Sequence, residues 1–262
     1  MAKLTKPQIK AHKEAEALIN CDRPLYDDEK VFILGNWQES GTHMNSAAGA
    51  FFTPSSLASH LALEVDGSSC GLGPLIDLCA GIGSLAFFCR NRFERMICVE
   101  INPDYARIGR RILPDAEWIV DSVFSDRVLS LPPCSWAISN PPFGIIPSKD
   151  YSGPYTGSKF EYKVIDVASR IASFGAFIIP QMSAPFRYSG KRQYREEEAD
   201  YCRKFREQTG IVMEANCGID TAIFKDEWRG VSPLCEIVVC EFEQKKADQV
   251  AQMDLFGMEG AA

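Results

Sequence analysis

Two groups of residues in this chain have the types and spacing for chemistry on a small ligand. The first begins in "LIDLCAGIGSLA", where Asp77, Ala80, Gly81 and Gly83 link an apolar run to a helix-prone one. Gly81-x-Gly83-x-x-Ala86 matches the glycine fingerprint that lets a ligand touch the backbone. Alone, it also fits an ordinary tight turn. Glu100 closes the next apolar run with Ile101 beside it, and Asp121 closes the one after with Ser122 beside it. Three acids at the ends of successive strands are costly in a buried crevice unless a ligand uses them. A carboxylate just before the glycine loop would repel a dinucleotide's pyrophosphate. It suits S-adenosylmethionine, which has an ammonium and a sulfonium and no phosphate, with Asp121 placed to accept the adenine amine. The second group is "WAISNPPFGIIP", in which a short apolar strand runs into Asn140-Pro141-Pro142-Phe143. Prolines donate no ladder hydrogen bonds, so the strand must stop there. It stops on a polar amide, a rigid double proline and an aromatic ring.

The elements that must position these residues alternate. Apolar strands are expected at 75–80, 95–101, 116–124, 135–140, 175–181 and 236–243, with a companion strand at 218–224. Helices are expected at 54–65, where Leu57, Leu61 and Leu63 give an apolar face, and at 84–93, 103–113 and 161–172. Such alternation implies βαβ units. The fold class is therefore α/β, a Rossmann-like, mostly parallel sheet with helices on both faces. Asn140 then lies at the carboxyl end of a strand, the edge where open α/β sheets bind ligands. Residues 3–20 read as a solvated helix or loose arm, and 35–50 as a loop. The expected organisation is an N-terminal arm over 1–50, a catalytic domain over 51–244 and an extended tail over 245–262.

The 262 residues carry a formal net charge of −7, which argues against a surface that grips nucleic acid all over but allows a local basic cleft. No apolar run reaches membrane-span length, and the N-terminus lacks a signal-peptide core. Ten cysteines form no CxxC pair and the histidines number three, so neither a disulfide framework nor a metal site is expected. Buried thiols and a reducing, cytoplasmic setting follow.

The Asn140–Phe143 tetrad, with "DLCAGIG" before it and "FFTP" at 51–54 before that, resembles the S-adenosylmethionine-dependent methyltransferases that act on adenine N6 in DNA. The resemblance covers roughly Phe51 to Phe242. It implies a class I methyltransferase fold, S-adenosylmethionine as cofactor, DNA as partner, and Phe52, Thr53 and Pro54 at the methionine end of the cofactor. Physically, an exocyclic adenine amine is a poor nucleophile, because its lone pair is delocalised into the ring. The Asn140 side-chain oxygen and the Pro141 carbonyl would accept its two N–H bonds. Attack must be in line, and Pro141 and Pro142 fix the carbonyl direction. The same acceptors stabilise the positive charge that grows on nitrogen. Phe143 would stack on a base flipped out of its duplex.

Related tetrads occur in enzymes that methylate RNA bases or protein glutamine, so those substrates remain alternatives. A methyltransferase-like binding module without activity is the alternative of another class. The segment 144–162 reads as a mobile loop able to close on a flipped base. The segment 187–206, with seven Lys or Arg and four acids, is either a phosphate-contacting strip or a solvated helix. In the tail, Gln252-Met253-Asp254-Leu255-Phe256 resembles the peptide by which bacterial DNA-processing proteins dock on the replication sliding clamp, which makes that clamp an expected partner through Gln252, Leu255 and Phe256.

Overall fold

The computed structural model describes residues 4–38, 51–65, 73–229 and 232–242. The clamp-like segment and most of the 35–50 loop lie outside them. Among the described residues a six-stranded sheet has the order β3-β2-β1-β4-β5-β8. Its strands are β1 (Leu75–Leu78), β2 (Met96–Glu100), β3 (Glu117–Val120), β4 (Cys134–Ser139), β5 (Ala172–Pro180) and β8 (Cys235–Glu241). All neighbours run parallel except β8, which pairs antiparallel with β5, Phe177 opposite Val238. β1 and β4 are fully buried, which is why they read as mainly apolar runs, with Asp77 the charged exception. The strand order reverses at β1 and β4, so their carboxyl ends flank the crevice where such sheets take ligands.

The connecting helices are α4 (Ser84–Cys89), α5 (Pro103–Ile112), α6 (Asp126–Leu129) and α7 (Phe160–Ile171), with α3 (Ser55–Glu64) ahead of β1. Asn102 starts α5 by accepting the Asp104 N–H through its side chain. On α3, Leu57 and Leu61 are fully buried but Leu63 is exposed. Position 63 falls off the face set by an i, i+4 pair.

Three differences from the sequence-based expectation have local causes. Residues 6–19 form α1 (Lys6–Ile19), begun by a Thr5–Gln8 capping box, with His12, Ala15 and Ile19 buried on one face. It packs on α2 (Asp27–Asn36), a helix the sequence pattern did not suggest. Ile33, Leu34 and Trp37 share a core with Ala86 of α4 and Ile108 and Ile112 of α5. Arg111 of α5 locks the pair by donating to the carbonyls of Ile19, Cys21 and Arg23. The expected strand at 218–224 is instead a short 3-10 turn, Thr221–Phe224, capped where Asp220 accepts the Ala222 N–H. The outer edge of β8 is met by a single bridge from Glu214 to Val239.

The 144–162 segment is laced down rather than free. Tyr151 donates to Asp166 of α7, Lys163 donates to Ser148, and Tyr155 is buried edge-on against Phe205. Phe205 belongs to α8 (Asp200–Thr209), which follows a small hairpin of β6 (Phe186–Arg187) and β7 (Arg195–Glu196). Of the cations at 187–206, Arg187 is buried and pairs with Glu197, while Arg203 and Arg206 pair with Glu198. Lys191, Arg192 and Arg195 are exposed on the hairpin.

Candidate active site

The carboxyl end of β1 turns through Cys79, Ala80 and Gly81 to Gly83, the residue before α4. Gly81 and Gly83 have φ of +59° and +90°, where glycine avoids the strain a Cβ brings. Cys79 takes the same left-handed region at φ +64° with its side chain in place. A Cβ on Gly81 would sit 3.6 Å from the Phe52 ring, an ordinary contact, so the positive φ rather than crowding by that ring is what favours glycine here. Phe52 is itself held edge-on by Trp37 (5.7 Å) and Tyr105 (5.2 Å). The α1–α2 hairpin thereby reaches the glycine loop through Trp37.

Four of the expected residues form one polar group. Asp77 is buried in mid-β1, and its Oδ2 accepts the Ala86 N–H at 3.2 Å. Burial first, then the Glu100 carboxylate, pushes the Asp77 pKa well above the usual carboxylate value. Glu100 ends β2 and accepts from the N–H groups of Gly81 (2.7 Å) and Asn102 (2.8 Å). Burial raises its pKa too, against the pull of those N–H donors. Thr53 is buried and its Oγ1 accepts from the Asn140 side chain at 2.9 Å. That amide nitrogen also donates to the Phe51 carbonyl at 3.1 Å, which fixes which end of the amide is oxygen.

Of the remaining expected residues Ala80 lines the same cleft, while Pro54, Ile101, Asp121, Ser122, Pro141, Pro142 and Phe143 are not among its lining residues. Pro54 is buried before α3, Ala80 is buried in the turn, and Ile101 is exposed at the mouth. Asp121 follows β3, half-buried, and its Oδ1 accepts the Ser122 N–H at 2.7 Å. Pro141 is buried, while Pro142 and Phe143 are half-buried. The Phe143 ring meets Phe51 edge-on at 6.3 Å.

Phe51, Phe52, Thr53, Asp77, Gly81, Ser84 and Asn140 line a narrow cleft of about 30 Å³. Among the described residues three buried oxygens on its lining have no hydrogen-bond partner: Asp77 Oδ1, Ser84 Oγ and Asn140 Oδ1. Buried polar atoms are nearly always paired, so three around one cleft indicate a ligand rich in N–H and O–H donors. Asn140 Oδ1 can only accept, and Asp77 Oδ1 accepts once its carboxyl gives up the proton, as a bound cation would favour. The glycine loop and acids thus fit S-adenosylmethionine, although Ser84 was missed. Its signal was its position, the first helical residue after Gly83. A wider groove of about 880 Å³ lies between α8 and residues 211–218 and shares no residue with this cleft. Its volume exceeds the cleft's, but the unpaired buried oxygens named above are in the cleft.

No family model matches the sequence, and no curated protein matches it. Solved structures do resemble the fold. A candidate class I S-adenosylmethionine-dependent methyltransferase from Listeria monocytogenes superposes with a TM-score of 0.57 at 15% identity, covering 86% of this chain and 69% of that one. A type I restriction-modification methyltransferase subunit from Streptococcus thermophilus gives 0.56 at 14%, covering 82% and 48%. A candidate RNA methyltransferase from Pyrococcus horikoshii gives 0.50 at 16%, covering 82% and 98%. The sheet order, the switch point between β1 and β4 and these likenesses together give the chain the fold of class I methyltransferases.

Proposed function

We propose that the protein transfers a methyl group from S-adenosylmethionine to the exocyclic N6 amine of adenine in DNA. One observation carries this reading: the Asn140 amide nitrogen is committed to Phe51 and Thr53, and its buried oxygen has no partner among the described residues. An acceptor held in this way at the carboxyl end of β4 calls for an N–H donor from outside the chain. Asp77, Ser84 and Glu100, with the glycine turn, would hold the cofactor, whose sulfonium supplies an electrophilic methyl. Asn140 Oδ1 takes one N–H of the amine, and the carbonyl of buried Pro141 takes the other. The two acceptors orient the nitrogen lone pair and stabilise the charge it gains. Phe143, steadied by Phe51, offers a face to the base. Lys191, Arg192 and Arg195 on the β6–β7 hairpin are candidates for phosphate contacts. Docking on the sliding clamp through Gln252, Leu255 and Phe256 remains part of the proposal.

The test is incubation with methyl-labelled cofactor and, separately, duplex DNA, RNA and protein, followed by nucleoside and peptide analysis. Label in N6-methyldeoxyadenosine from DNA is the expected result. Label only in RNA or in glutamine would move the same chemistry to that substrate. Calorimetry showing binding of a nicotinamide dinucleotide and no heat from the methyl donor would end the reading.

A further inference from the structure

Beyond the tetrad itself, a carboxylate outside the cleft holds the tetrad's exit. Glu161 is fully buried on the first turn of α7, and among the described residues no cation pairs with it. Its Oε2 accepts the N–H of Gly144, the residue directly after Phe143, at 3.1 Å. Its Oε1 accepts from the buried Ser183 hydroxyl at 2.8 Å. The Gly144 carbonyl is held from the same helix turn by the Phe160 N–H at 2.9 Å. Both sides of residue 144 are therefore fastened to the start of α7, and Ser183, just past β5, braces the carboxylate from behind.

Gly144 needs such fastening. It has φ of +93° and nothing within 4 Å of where a Cβ would lie, so packing does not hold it. Residues 140–143 before it include two prolines with no N–H to anchor. The first N–H after Phe143 is that of Gly144, and it goes to Glu161. An acid in the first turn is favoured by the helix dipole, which helps a buried carboxylate tolerate the absence of a cation.

We infer that Glu161 is a positioning residue for methyl transfer: by accepting the Gly144 N–H it sets the direction of the Pro141 carbonyl and the Phe143 ring. This rests on the methyltransferase reading for its catalytic part, and on geometry alone for its anchoring part. The role is hydrogen-bond acceptance rather than charge. A glutamine at 161 keeps an acceptor for Gly144, while Ser183 can turn from donor to acceptor for the new amide.

The experiment has two arms on the full chain, with parental protein, Glu161→Ala, Glu161→Gln and the milder Ser183→Ala. The first arm needs no activity. Amide exchange at Gly144, read by nuclear magnetic resonance, should be slow in the parent. It should be at least tenfold faster in Glu161→Ala and close to parental in Glu161→Gln. Parental exchange in Glu161→Ala overturns the inference whatever the protein's activity. The second arm reads kcat, KM for DNA and affinity for the methyl donor. Glu161→Ala should lower kcat by roughly 10- to 100-fold, the size expected of an ångström-scale misplacement. Donor affinity should hold, and Glu161→Gln should stay within about threefold of the parent. If Glu161→Ala does not fold, Ser183→Ala should still show a smaller fall in kcat with faster Gly144 exchange. Parental kcat in it, with Gly144 exchange unchanged, would overturn the brace. A fall in Glu161→Gln as deep as in Glu161→Ala would overturn the acceptor role. An inactive parent on DNA, RNA and protein would sink the methyltransferase reading and leave the anchoring to the first arm.

Discussion

Burial and the neighbouring Glu100 carboxylate both raise the Asp77 pKa and so favour its protonated form. A carboxyl whose folded pKa lies above its unfolded value of about 3.9 stabilises the fold below that value and loses this as pH rises. In the ligand-free protein, Asp77 therefore works against folding at neutral and higher pH. Asp77→Asn should melt above the parent at pH 8, and the gap should narrow as pH falls towards 5, as scanning calorimetry would record. The same variant should bind the methyl donor more weakly, because a cation loses its counter-charge in a buried site. A gap that is constant with pH would mean that Asp77 has the same pKa folded and unfolded, and that burial does not raise it. For chemistry, Asn140→Ala removes one of the two proposed acceptors. Single-turnover kcat should drop on the order of 10²-fold with donor affinity little changed. A variant as fast as the parent would reduce Asn140 to a strand terminator.

Elements differ in how much of their role the sequence discloses. β1, β2 and β4 are apolar runs bounded by Gly, Pro or Asn, and a buried parallel strand can hardly be written otherwise. Asp77, Glu100 and Asn140 stand out because they interrupt or end such runs. What those side chains bond to is another matter. Asn140 meets Phe51 and Thr53, nearly ninety residues upstream, and no local pattern announces that pairing. α2 escaped notice because "DDEKVFILGN" puts its apolar residues in one block and carries Gly35, so no helical period shows. Thr221–Phe224 looked like a strand because a short apolar run fits either state. α5 offers a test of packing at this scale. Gly109 faces the Trp118 ring so closely that a Cβ would run into it. Gly109→Ala, helpful to an isolated helix, should cost about 1–3 kcal/mol here by overpacking, measured by urea unfolding. A gain in stability would show that Trp118 has room to swing aside.

At the scale of the whole molecule, among the described residues no helix is long and apolar enough to cross a membrane. The cysteines of the strands are buried, and burial pushes thiols such as Cys134 and Cys235 up to about 11. They should resist alkylation in the folded protein, whereas Cys217, exposed although its hydrogen bond to Glu64 raises its thiol, should react first among the described cysteines, a result that peptide mapping would give. The proposed clamp contact has its own check. A peptide spanning 249–257 should bind purified clamp at micromolar strength, and Leu255→Ala with Phe256→Ala should abolish that while sparing methylation of free DNA.

The antiparallel course of β8 decides from which side such a contact would act. β8 ends at Glu241 opposite Phe174, and the Phe242 N–H closes on Ser173 at the start of β5. The catalytic turns lie at the other end of the sheet. Phe242, the last described residue, thus stands at the end of the sheet away from the proposed active-site turns. If the proposed clamp contact is made, it starts from the end of the sheet opposite the site, so the partner and the strand being modified need not compete for one face.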